Sequence, residues 1–327
     1  MLNKRNIAEY LNERLRSLDI FITRRSDLWR ATAQLGRQPV PPRAPPVPRA
    51  PLLRHFGPEN GAASFDFAVV MPTILRPSIA DALRSVFAQD FAGTVQILVG
   101  VDVPRGNLAP VEKVCQERPP HHSVLLFDPG YSTSMRHGGL HPPWDGGVLR
   151  TVLSYLAGSR RVAYLDDDNW WAPDHLTTLC AALEGHDWAW SLRWYVHPTS
   201  RRIICKDVWE SVGPDAGTQP GGWVDTNCLA IDKLACEAVL RWWSIPLRNS
   251  TTGMDPDRNV LRILKNEFRG CGTGRYTTYY VLNEADRGHE KRMERIGAER
   301  YRAAAGLRQG AGLDLITYQD LHQVAPT

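Results

Sequence analysis

Nowhere in the 327 residues is there a run of about 18 apolar positions, so no transmembrane helix is expected. A secretory leader is not expected either. Residues 1–25 hold Lys4, Arg5, Arg14, Arg16, Arg24 and Arg25, while Glu9, Glu13 and Asp19 interrupt any apolar centre. Cysteine is sparse. Its six copies (Cys115, Cys180, Cys205, Cys228, Cys236 and Cys271) lie far apart, without a C-x-x-C pair or a paired metal spacing. That pattern argues against a disulfide framework and a zinc knuckle, and for free thiols in a reducing cytoplasm. A strongly basic body, the footprint of a nucleic-acid binder, is also missing, so no nucleic-acid partner is expected.

The charge that exists is unevenly spread. Formal net charge is +4, from 39 Lys and Arg against 35 Asp and Glu. Residues 1–51 contain ten basic and four acidic side chains, a net of +6, which leaves −2 for the remainder. Ile7, Leu11, Leu15 and Leu18 recur at helical spacing within 5–35, so residues 1–37 read as a basic helical appendage. Its alternatives are a solvated or self-associating tail and peripheral attachment to the inner face of an anionic membrane. Seven prolines crowd residues 38–51, a composition that favours extended polyproline II; 38–63 reads as a semi-rigid linker. The folded body is expected over 64–295, and 296–327 as a helical or irregular tail.

Within the body, short apolar runs alternate with helical patterns. Phe67–Pro72, Val95–Val101, Ser123–Phe127 and Val162–Leu165 read as buried parallel strands. Between the first two lies a helix with Ser78 and Asp81 placed as a capping box and Ile79, Leu83, Val86 and Phe87 as its buried stripe. Val148–Ala157 is helical, with Gly158 as its stop. The alternation predicts an α/β, Rossmann-like, doubly wound and mostly parallel sheet, followed beyond residue 185 by a less regular α+β half. In such sheets ligands sit beyond the carboxyl ends of the strands. Pro72, Thr73, Asp102, Asp128 and the run Asp166-Asp167-Asp168 all fall at those ends and should share one rim.

Three adjacent carboxylates repel one another and call for a cation. Hard divalent ions such as Mn²⁺ or Mg²⁺ take oxygen ligands and are commonly held by one or two carboxylates plus phosphate oxygens. Pro173 suits a first helical turn, so the acidic loop joins a buried strand to a helix starting near Asp174. An acidic turn with a helix cap is the plainer alternative.

The chain resembles a family 2 glycosyltransferase of the GT-A fold. The resemblance rests on VVMPTILRPSIADALRSVFAQDF (69–91), ILVGVD (97–102), LRTVLSYLAGSRRVAYLDDDNWWAPDHL (149–176), VDTNCLAI (224–231) and MDPDRNVLRIL (254–264), and covers roughly residues 65–290. Some stretches are most similar to the spore-coat polysaccharide branch. It implies a metal-dependent, inverting, hexosyltransferase-type enzyme. The sugar would pass from a nucleotide-sugar donor to a hydroxyl on a carbohydrate or glycolipid acceptor, in surface polysaccharide or glycolipid synthesis. It also implies a GT-A sheet with an acceptor-shaping second half.

Carried over residue by residue, the resemblance implies that Pro72, Thr73 and Asp102 face the nucleotide. Arg76 would neutralise diphosphate or serve as a surface charge at the helix start. Asp128 would line the base pocket or turn the chain, and Arg150 would contact donor or support the acidic loop. Asp168 is the implied metal ligand, with Asp166 sharing that role or, with Asp167, contacting ribose or sugar. His289 would close the metal shell or remain a surface histidine. An inverting transfer needs a base; Asp257, opening a helix, is preferred, with Asp225 second and Asp255 third. His137 and His141 lie in a glycine-rich loop read as cover for donor or acceptor. The tryptophans of the second half offer an acceptor platform, though core packing accounts for most of them.

Two departures stand out. P-T-I-L-R replaces the usual P-T-x-N-R, and one carboxylate, Asp102, stands where many members have two. Two other readings compete. A nucleotidyltransferase would want a glycine-rich phosphate loop, absent from Pro72–Pro77; a non-catalytic carbohydrate- or partner-binding relative would not need the carboxylates.

Overall fold

Seven consecutive residues, Phe67–Thr73, are buried on both faces of a strand, and the sheet is built outward from there. The structure is a computed structural model; it describes residues 50–58, 64–103, 106–139, 141, 146–211, 222–246, 256–284, 286 and 288–306. The chain divides into two units, Met1–Pro46 and Val47–Thr327. The first, and with it the expected appendage of residues 1–37, lies outside the described residues, as does most of the expected linker.

The strands are β1 (Leu52–Phe56), β2 (Phe67–Thr73), β3 (Val95–Val101), β4 (His122–Asp128), β5 (Arg161–Tyr164), β6 (Trp170–Trp171), β7 (Trp188–Val196), β8 (Ile203–Lys206), β9 (Leu229–Asp232) and β10 (Gly270–Val281). The helices are α1 (Ile79–Phe87), α2 (Ala109–Cys115), α3 (Gly147–Leu156), α4 (His175–Leu183), α5 (Glu237–Leu240), α6 (Pro256–Glu267), α7 (His289–Ile296) and α8 (Ala298–Ala305). One sheet runs β1-β4-β3-β2-β5-β9-β7-β10-β6, with β8 on β7. Its core, β4-β3-β2-β5, is parallel. Beyond β5, the β9 pairings are antiparallel, while β7 and β10 pair in parallel. The architecture is a mixed α/β sheet with a parallel core.

The continuous apolar runs follow from coverage on both faces. Phe67, Val69 and Met71 pack with Ile79, Leu83 and Val86 of α1, while Ala68 and Val70 pack with Leu149 and Leu153 of α3. Period-2 alternation then delivers Phe67–Met71 alternately into the two cores, while Pro72 and Thr73 at the strand's end reach the cleft described below. Each fully buried side chain of this size contributes about 1.5–3 kcal/mol over leaving it exposed.

Two expectations need correction. Residues 52–56, read as linker, form β1 and pair antiparallel with β4 from Leu52↔Asp128 to Phe56↔Val124. Their half-exposed sequence carries no long apolar run, because an edge strand needs only one covered side. The capping box does not form. Ser78 already has helical angles (φ −61, ψ −19) and makes no side-chain cap bond. Its carbonyl accepts from Asp81 and Ala82, so the first turn starts ahead of it. Asp81 instead pairs with Arg201 at 2.9 Å.

His122, at the start of β4, is fully buried with both ring nitrogens unpartnered, and burial pushes its pKa down to about 4. His175, stacked on Trp171 and bonded to Thr277 Oγ1 at 2.8 Å, is also pushed well below its ordinary value by burial. The unfolded chain takes up protons below pH 6.5 that these imidazoles refuse. Stability is therefore fully present above that pH and lost as pH falls toward about 4. His122 alone should account for about 3 kcal/mol of the loss. Urea titrations between pH 7 and 4.5 should show a shallower acid decline for His122→Phe than for the wild-type chain; parallel declines would refute the assignment.

Candidate active site

The strand order reverses between β2 and β5: β3 and β4 lie on one side of β2, while β5 and its neighbours lie on the other. Loops leaving the carboxyl ends of two such strands diverge and open a crevice. A cleft with roughly 840 Å³ of open space occupies that place. Its walls include Pro72, Thr73, Ile74 and Arg76 after β2, Asp102 after β3, Arg150 on α3, and Asp166, Asp167, Asp168 and Asn169 after β5. His137, Gly146, Tyr280, Val281, Asn283 and Asp286 complete it. Five carboxylates thus face two guanidinium groups.

The turn after β2 grips the acidic loop. Thr73 Oγ1 donates to Asp167 Oδ2 at 2.7 Å, and the Ile74 N–H reaches the same oxygen at 3.1 Å. Arg76 Nη1 donates to Asp167 Oδ1 at 2.6 Å and to Asp168 Oδ2 at 3.1 Å. Leu75 has a φ of +62, uncommon for a side chain other than glycine, and its N–H closes on Thr73 Oγ1 at 2.8 Å. That kink turns Arg76 back toward the carboxylates. Gly146, at the start of α3, is needed for a related reason. Its φ is +74, and a Cβ there would stand 2.7 Å from Pro72 Cβ.

The three aspartates have different partners. Asp166 is ion-paired with the buried Arg150 and held by Asn227. Asp167 is buried and takes the turn after β2. Asp168, its side chain still 31% exposed, meets Arg76 and the Asn169 amide among the described residues, the latter at 3.1 Å. Burial pushes its carboxyl up to about 7; Asp166, Asp167 and Asp286 add to this by repulsion, and Arg76 opposes it. Among the described residues no group of three His, Cys, Asp or Glu side chains is gathered to hold a metal ion.

Nine of the residues singled out from sequence meet in this cleft: Pro72, Thr73, Arg76, Asp102, His137, Arg150, Asp166, Asp167 and Asp168. Asp102 does so in an unexpected way. Its Oδ1 accepts from Thr133 N at 2.6 Å, Thr133 Oγ1 at 3.0 Å, Ser132 Oγ at 3.1 Å and Ser134 N at 3.4 Å. It anchors the turn that leads to His137. Four others do not line the cleft. Asp128 accepts from Gly130 N–H at 2.7 Å, where Gly130 has a φ of +83, and so turns the chain. Asp225 is buried against Arg193 and Asn227. Asp257 is half-buried in the first turn of α6, its Oδ1 2.8 Å from the Arg258 N–H. His289 begins α7, its N–H on the Asp286 carbonyl at 2.9 Å and its buried Nδ1 without a hydrogen-bond partner. Asp255 lies outside the described residues.

Sequence reasoning missed Asp286, which lines the cleft and accepts from Tyr280 Oη at 2.9 Å and Arg292 at 2.7 Å. In the segment E-A-D-R-G-H the pattern points to the histidine, and the aspartate three residues before it carries no motif of its own. Of the nine tryptophans from Trp170 onward, Trp170, Trp171, Trp188, Trp190 and Trp243 are buried in the core, in line with packing as their main role.

No protein-family model matches the chain, and no curated protein matches it. Among solved structures it is similar to S. aureus TarS 1–349 in complex with UDP, at 17% identity and a TM-score of 0.48, over 71% of this chain and 64% of that one. The same fragment in complex with UDP-GlcNAc gives 16% identity and a TM-score of 0.45, over 71% of this chain and 65% of that one. The mannosyltransferase PcManGT from Pyrobaculum calidifontis, in complex with GDP-Man and Mn²⁺, gives 14% identity and a TM-score of 0.46, over 82% and 66% respectively. The chain spans about three-fifths of the length of the TarS 1–349 fragment.

Proposed function

We propose that this chain is an inverting glycosyltransferase of the family 2, GT-A type, moving a sugar from a nucleotide-sugar donor to a hydroxyl on a carbohydrate or glycolipid. The observation that carries the reading is the convergence of Thr73, Arg76, Asp102, Arg150 and Asp166–Asp168 on one cleft at the switch point of the sheet. A cleft with five carboxylates and two guanidinium groups repels a diphosphate unless a cation enters with it. The donor set suits a hard divalent ion, Mn²⁺ or Mg²⁺, as an open site: Asp168 and Asp286 would supply carboxylate oxygens, and the diphosphate would supply the rest. Bound there, the ion would offset charge on the departing nucleoside diphosphate.

The chain's own residues do the remaining work. Arg76 orients Asp167 and Asp168 and presents positive charge to the phosphates. Arg150 balances Asp166 so that the loop stays folded against β5. The Asp102-anchored turn sets His137 at the rim as a donor contact. Asp257, in the first turn of α6 and outside the cleft wall, is our choice of base. It would take the acceptor hydroxyl's proton as that oxygen bonds to the sugar and the nucleoside diphosphate leaves from the opposite face; a positioned base of this kind contributes about 10²–10⁴-fold.

Calorimetric titration of the full chain with a panel of nucleotide sugars, with and without Mn²⁺, tests the donor reading. Binding is expected only with the ion, and no binding to any donor would favour a non-catalytic scaffold. Asp257→Asn should keep donor affinity and lose transfer by about 10²–10⁴-fold. Transfer that survives in Asp257→Asn and vanishes in Asp225→Asn would move the base to Asp225.

A further inference from the structure

We infer that Asn227 is the positioning residue of the acidic loop, with Asp225 and Arg193 behind it, so that Asp225 acts on the carboxylates through Asn227. Every polar atom of Asn227 is engaged, and the residue is 1% exposed. Its Oδ1 accepts from the Asp166 N–H at 2.6 Å, and its Nδ2 donates to Asp166 Oδ2 at 3.0 Å. One amide thus holds both the backbone and the side chain of the first aspartate. The same Nδ2 donates to Asp225 Oδ1 at 2.7 Å, which also takes the Asn227 N–H at 2.9 Å. The Asn227 carbonyl accepts from Trp171 Nε1 at 2.8 Å and Thr278 Oγ1 at 3.1 Å, tying it to β6 and β10.

These contacts dictate which way the amide points. Turned over, it would aim its NH₂ at the Asp166 N–H and its carbonyl at two carboxylates. Asp225 reinforces the correct orientation and is itself held by the fully buried Arg193. The result is a chain of buried contacts, Arg193–Asp225–Asn227–Asp166, ending at Arg150 on the cleft wall. Both oxygens of Asp225 are taken up inside it, Oδ1 by Asn227 and Oδ2 by Arg193, which suits a positioning role better than proton transfer.

The consequence for the cleft rests on the reading that it binds a nucleoside diphosphate with a divalent ion. Asn227→Asp is nearly isosteric but turns the NH₂ donor into an acceptor facing two carboxylates. It is expected to weaken binding of UDP or GDP in the presence of Mn²⁺ by about 10–100-fold, as loss of an outer partner of a ligand does. Asp225→Asn keeps an acceptor for Asn227, so affinity and kcat should fall together by a few-fold; this variant carries the decision if Asn227→Asp does not fold. A large loss of kcat at unchanged affinity in Asp225→Asn would make it the proton acceptor and overturn the inference, as would wild-type affinity in Asn227→Asp. Hydrogen exchange supplies a readout that needs no nucleotide. In Asn227→Ala the segment 160–170 should exchange at least about tenfold faster relative to 95–101. If the wild-type chain binds neither UDP nor GDP, the functional reading falls, while exchange still decides the role of Asn227; unchanged exchange would overturn it.

Discussion

Asp168→Ala is expected to lose transfer by at least about 10²–10³-fold, the scale seen when one preorganised electrostatic group is removed from a reacting centre. The fold should survive intact. Asp168 is the aspartate of the run with the fewest partners among the described residues, Arg76 and Asn169, and it stands among Asp166, Asp167 and Asp286. Removing it relieves repulsion, so the melting temperature should hold or rise while activity collapses. Stability and function pull in opposite directions at such a site because the carboxylates are arranged for a ligand, not for one another. Thermal melts and transfer assays on the same preparation check the pair of outcomes. Retained turnover would remove Asp168 from the proposed metal-binding role, and a lowered melting temperature would make it a structural residue.

The second large effect concerns stability. Arg193 is 0% exposed and meets Asp207 at 2.7 Å, Glu210 at 3.3 Å and the Tyr195 hydroxyl at 3.2 Å, in addition to Asp225. Its guanidinium lies 4.2 Å from the Tyr280 ring centre. Burial works to raise the Asp207 carboxyl, yet Arg193 and the N–H groups of Glu210 and Ser211 hold it at about 2. Arg193→Met leaves two buried carboxylates without their counter-charge. It should cost about 3–5 kcal/mol, the usual penalty for breaking a buried ion pair from one side. The pH dependence follows from the sign. Without Arg193 those carboxylates titrate higher in the folded state, so the deficit relative to wild type should shrink as pH falls toward 4. Denaturant titrations at pH 7 and 4.5 measure both. Arg193→Lys should recover little, since an ammonium cannot fork between Asp207 and Asp225 as the guanidinium does.

The two effects meet at Asn227. Through Asp225, the Arg193 network ends on the backbone of Asp166, so the reactive loop is fixed by polar contacts made on β7, on β9's preceding turn and on β10. Of these, the sequence singles out only Asp225, as a candidate base; Arg193, Asn227 and Thr278 carry no motif that marks a role at the site. Asn227 sits in V-D-T-N-C-L-A-I, where the aspartate drew attention and the asparagine two residues later did not. A polar amide in an otherwise apolar stretch was the available signal, because a buried amide must find partners.

The sequence alone determined the parallel core, the helices α1 and α3 that cover it, and the rim of Thr73, Arg76, Asp102 and Asp166–Asp168. Those features follow from short-range rules: apolar runs buried on two faces, helical stripes, and loops that leave strands at their carboxyl ends. Tertiary structure decided the rest. It brought residues 52–56 into the sheet as β1, denied Ser78 its cap, turned Asp102 toward the 132–134 loop, and delivered Asp286 to the cleft. Those outcomes depend on which distant strand becomes a neighbour and which counter-charge arrives with it. A carboxylate's role is set by the partner that crosses the sheet to meet it, and no local pattern encodes that partner.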